Sequence, residues 1–176
     1  MLATRWTIAH NLHFAAAMFL LFGVVGIYQL QATRLKTFGH LAFVLALMGS
    51  AFFFASGVIT AALMPVIAAA SATLVRATGP FFNPPLPILV TSVGAFAIGW
   101  ITFGVATARA GEFPSWTGWA LVAGAVLQTL PPEPFGHAPW IAIEVGGAVM
   151  ALGFLGIGAH AWVSQSVPYA AQLAAE

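Results

Sequence analysis

From Leu41 to Val75 the chain carries no charged residue and a single proline, Pro65. As one straight helix this run would measure about 50 Å, against a bilayer hydrocarbon core of about 30 Å. A stretch of that kind cannot face water along its length. A soluble domain usually has about 25% charged residues with which to do so. This chain of 176 residues has 5%, with 61% hydrophobic residues and a mean hydropathy of +0.97. Most of its exterior must therefore face lipid. The apolar runs are continuous rather than alternating, which excludes a membrane barrel and leaves helices, the other structure that satisfies its backbone within hydrocarbon.

The expected architecture is an all-α, polytopic transmembrane bundle forming a single integral membrane domain over residues 1–176. Five spans are predicted, at residues 12–30, 41–63, 86–108, 116–130 and 139–163. Pro87 and Pro139 stand at the starts of the third and fifth, where a missing N–H is not needed. The fourth is short, bounded by Pro114 and by Pro131-Pro132. The second helix is either extended or kinked at Pro65, with residues 66–76 at the interface or folded against the bundle. The first run is too long for a signal-peptide core and lacks a clear cleavage site, so it reads as a retained span. Residues from Val167 onward read as a short tail.

Net charge is +1 and there is no cysteine. The first offers no field for nucleic acid. The second removes disulfides, thiolate catalysis and cysteine-ligated metal sites. Arg34, Lys36 and Arg109 fall on one side of the membrane and Arg5 and Arg76 on the other. By the positive-inside rule the N-terminus is expected outside and the C-terminus in the cytoplasm. No nucleophile elbow, phosphate-binding loop, dinucleotide fingerprint or HExxH motif is present, which argues against hydrolytic or phosphoryl-transfer chemistry and for a protein that is not an enzyme.

Glu144 is the acidic residue placed inside a predicted span, and an intramembrane carboxylate is a functional-site candidate because burying its charge is expensive. At 100° per residue, Glu144, Gly147, Ala151 and Gly158 fall within about 60° of one another. Small residues on one face mark close helix packing in membranes, so this face is expected to turn into the bundle. Gly153, Gly156 and His160 form a second small face roughly opposite. His10 and His13 share one face of the first span, at the depth of Glu144. A His–Glu cluster there would lower the energy of burying the carboxylate and could handle protons or a ligand such as quinone. With His137 of the last loop it could also hold a metal. His40 and His160 lie at the other membrane face, so the histidines are also distributed as a bis-His haem protein would need. Against these stands the reading of interfacial histidines bonded to water and head groups.

Three stretches carry a resemblance: Gly39–Ser50, Gly99–Trp119 and Ile143–Gly158. Together they resemble a group of uncharacterised small polytopic membrane proteins of actinobacterial type. Their pattern is a glycine-rich span, then A-x-R-A-G-x-x-P-x-W-x-G, then two further spans. The chain fits that pattern from Arg109 to Gly118. The resemblance implies a helical bundle and brings no activity or site residues. The leading expectation is a non-catalytic accessory or scaffolding subunit, contacting the lipid bilayer and either partner membrane subunits or further copies of itself. The alternatives are a membrane-embedded binder or carrier of protons, quinone, haem or metal through Glu144 and the histidines, and a small transporter or channel.

Overall fold

The computed structural model describes residues 2–75, 86–130 and 140–173. Among these every regular element is a helix, with no strand. In chain order the helices are α1 (Leu2–Gln31), α2 (Thr37–Val58), α3 (Met64–Ala70), α4 (Leu86–Ala110), α5 (Ser115–Thr129) and α6 (Trp140–Leu173). A π-helical turn over Ile59–Leu63 joins α2 to α3 without a break, so Thr37–Ala70 is one rod of 34 residues. The second helix thus continues past Pro65 to Ala70. Pro65 lacks the N–H that would bond the Ala61 carbonyl, and its ring crowds that carbonyl. The widened turn just before it absorbs both problems. Beyond the candidate span, which ends at Ser164, the chain continues as helix to Leu173.

Among the described residues four helices are long and apolar enough to cross a membrane: Trp6–Gln31, Thr37–Ala70, Thr91–Ala110 and Ile141–Ser164. The fourth predicted span corresponds to α5, which has 15 residues. That is about 22 Å of helix, short of the hydrocarbon thickness. Yet α5 carries the chain back between two parallel helices. Gly104 of α4 meets Gly118 and Val122 of α5, and Gly124 and Thr117 of α5 meet Gly146 and Gly153 of α6. Both pairings are antiparallel, so α1, α4 and α6 run one way and α2 and α5 the other.

The sharp turn that makes α5 possible is local chemistry. Gly111 terminates α4 with φ 71°, the left-handed conformation that a side chain would disfavour. Pro114 caps α5, and its carbonyl accepts from the Thr117 backbone N–H at 3.0 Å and the Thr117 hydroxyl at 2.8 Å.

The centre of the bundle is the α2–α4 crossing. A Cβ on Gly99 would stand 2.5 Å from the Leu45 carbonyl carbon, and one on Gly49 2.5 Å from the Phe96 Cα. Two glycines, one per helix, therefore let the backbones touch, the usual device where lipid supplies no hydrophobic drive between helices. Trp100 and Phe103 fill the space beside this crossing, fully buried. Phe154 of α6 packs edge-on to Trp100, centroids 5.5 Å apart, and lies over Gly23 of α1. Val24, Ala46, Leu121 and Ile157 complete the core from the surrounding helices.

Candidate functional site

Glu144 lies on the outside of the bundle. The face of α6 turned inward is Ala142, Gly146, Met150, Gly153 and Ile157, all buried, with Gly156 partly buried under the Trp116 ring. Glu144, Ala151 and Gly158 are exposed, and a Cβ added to Gly147 or Gly158 would meet nothing within 4 Å. The expected inward face is therefore the outward one, whereas Gly153 and Gly156 do mark a packing face. The reason is that α6 has small residues on two sides. Only the partner helix decides between them, and the Gly124 and Thr117 backbone of α5 fits the Gly146–Gly153 side.

His13 lies near the depth of Glu144, and His10 lies about one turn nearer the N-terminus. Gly23 of α1 abuts Phe154 of α6 and the helices are parallel, so residues ten positions earlier share a level. Depth is all that His13 and Glu144 share. His10 stacks on Trp6 with centroids 3.8 Å apart, and its Nδ1 lies 2.9 Å from the Trp6 carbonyl oxygen. His13 packs against Phe53 of α2. Among the described residues Glu144 has no hydrogen-bond or ion-pair partner, and no three His, Asp or Glu side chains gather as a metal-ligand set. His137 lies outside the described residues. At the opposite end, the His40 Nδ1 is 3.2 Å from the Tyr28 hydroxyl. His160 is exposed beside the edge of Phe113. Each of these rings thus rests against an aromatic neighbour.

The organised polar region is that second end, where the α1–α2 and α4–α5 loops meet. Gln31, the last residue of α1, donates through Nε2 to the Thr107 hydroxyl at 2.9 Å, both side chains fully buried. The Gln31 Oε1 has no donor. Turning the amide over would only exchange which atom is unpaired. Arg34 Nε pairs with Glu112 Oε2 at 2.6 Å, tying one loop to the other. Beneath them Leu35 and Phe113 are buried. Between α1–α2 and the end of α4 lies a cleft of about 370 Å³. Arg34, Lys36 and Arg109 line its rim, with Leu35, Gly39, Ala106 and Ala110 as an apolar floor and Phe38 at the edge. Among the described residues Lys36 and Arg109 have no carboxylate partner.

A second buried polar pair lies mid-bundle. Trp100 Nε1 donates to the Ser50 hydroxyl at 3.1 Å, and that hydroxyl donates to the Ala46 carbonyl at 2.7 Å. Gln31, Thr107 and Ser50 drew no attention in the sequence, because a single polar residue in an apolar run does not reveal its partner. Trp100 did give a signal, as the tryptophan placed mid-span rather than at the head-group level where such rings prefer to sit. No protein-family model, curated protein or solved structure matches this chain.

Proposed function

We propose that this chain is a non-catalytic integral membrane protein that assembles side by side with another membrane helix, as an accessory or scaffolding subunit in a bacterial inner membrane, N-terminus outside. The observation that carries this reading is the outward face of α6. It combines a carboxylate, Glu144, three residues inside the apolar segment that begins at Ile141, with the open positions Gly147, Ala151 and Gly158. Small residues let a second helix approach closely, and close approach is what drives association in lipid. A carboxylate about 5 Å inside the span is disfavoured against hydrocarbon and favoured against a hydrogen-bond donor on a neighbouring helix. Leu155, 69% exposed on the same face, would supply the apolar contact.

Gly147→Leu tests this reading. A Cβ at this position meets nothing within 4 Å in the chain's own bundle, so the variant is expected to fold while its side chain blocks an approaching helix. Native mass spectrometry of the protein extracted gently from its own membrane should show a complex or oligomer for the wild type, and the lone chain for Gly147→Leu. A wild type that is monomeric with no co-purifying subunit refutes the reading, as does a variant that assembles unchanged.

A further inference from the structure

We infer that the cleft between the α1–α2 loop and the end of α4 is a binding site for the phosphate head group of an anionic membrane phospholipid. Three cations converge on it from two separate segments: Arg34 and Lys36 from the loop, and Arg109 from the last turn of α4. Only one of them is matched by a carboxylate among the described residues, Arg34 by Glu112. The rim thus keeps an excess of two positive charges, three cations less one carboxylate. That excess faces a space of about 370 Å³, large enough for a glycerophosphate group. The Arg34–Glu112 pair draws on one of the three cations and leaves Lys36 and Arg109 without a carboxylate partner among the described residues. The N-terminus of α2 opens at the same place, with no side chain capping it, and adds partial positive charge to what the cations supply.

The floor decides between a lipid and a free anion. Leu35, Gly39, Ala106 and Ala110 offer a phosphate ion nothing, but they suit the glycerol and first methylenes of a lipid. The edge residue Phe38 is 52% exposed and leads on to Leu41 at 61%, toward the lipid-facing side of α2. An amphiphile whose charge meets the rim and whose chains run down that side satisfies both halves of the cleft. A basic pocket between helices at the membrane surface is the general form of such a site.

The test is native mass spectrometry of the full chain in detergent micelles, titrated separately with phosphatidylglycerol and phosphatidylcholine. Wild type should retain one phosphatidylglycerol in clear preference to phosphatidylcholine. Lys36→Gln with Arg109→Gln should weaken that retention about 25-fold, at about fivefold per cation removed. Arg5→Gln with Arg76→Gln removes the same charge from elsewhere in the sequence and should leave it unchanged. Glu112→Gln frees Arg34 and should strengthen retention, a gain that misfolding does not mimic. Equal loss in the two double variants, no preference between the lipids, or weaker retention in Glu112→Gln overturns the inference. So does displacement of the lipid by millimolar inorganic phosphate, which would assign the site to a free anion.

Discussion

At the residue scale, the side chains that matter most to this bundle are polar ones hidden from both water and lipid. Gln31 and Thr107 are separated by 76 positions yet bond at 2.9 Å at zero exposure. Removing one partner leaves an amide buried without compensation, whereas removing both leaves an apolar contact. Thr107→Val should therefore destabilise the protein by about 1–2 kcal/mol, the upper part of the range for interhelical bonds in membranes. Gln31→Leu with Thr107→Val should restore most of that loss, since it also removes the unpaired Oε1. Reversible unfolding in mixed micelles measures both; a double variant less stable than Thr107→Val alone would contradict the assignment. The Arg34–Glu112 pair is a different case. Its side chains are 58% and 34% exposed, so solvent screening limits it to well under about 1 kcal/mol. It orients two loops more than it stabilises the fold.

At the element scale, glycines separate into those that make crossings and those that face outward. Gly99 lies against the Leu45 backbone, and Gly49 against that of Phe96. Gly99→Leu should push α2 and α4 apart, losing about 1–3 kcal/mol or more because backbone cannot move aside as a side chain can. Gly158→Leu on the open side of α6 should leave the isolated protein's stability within about 0.5 kcal/mol or raise it, since glycine is a poor helix former. Thermal unfolding in detergent compares the two, and equal losses would show that the packing faces are misassigned. The π-turn before Pro65 belongs to this scale as well. Pro65 signalled a disturbance in the second helix, and the turn over Ile59–Leu63 absorbs it without interrupting the rod.

At the scale of the whole molecule, α1 and α6 are parallel, so the bundle begins at one end and finishes at the other. The α1–α2 and α4–α5 loops then share a face, joined by the Arg34–Glu112 pair. The chain has no native cysteine, which makes single-cysteine labelling direct. Thr33→Cys and Ser115→Cys should react from the same side of the membrane, the cytoplasmic one if the charge bias sets orientation. Thr73→Cys should react from the other. Labelling of Thr33→Cys and Ser115→Cys from opposite sides would mean that Thr37–Ala70 and α4 do not each cross the bilayer.

How far the fold was legible depended on what each signal measures. The near absence of charge determined by itself that lipid is the solvent and that helices span it, because backbone groups have no other partner there. Gly111 and Pro114 determined the α4–α5 turn, because a left-handed residue and a helix start are local conformational demands. The orientation of α6 was decided only by tertiary structure. In water the apolar face of a helix is the buried one, but α6 is apolar all round and meets lipid on one side and protein on the other. Both are apolar, so composition does not distinguish them. The choice went to the side where Gly146 and Gly153 admit the α5 backbone, and that turned Glu144 outward. The cleft is also a tertiary product. Arg34, Lys36 and Arg109 were readable as a charge bias on one side of the membrane, but their convergence on one opening follows from two loops that the sequence places more than seventy residues apart.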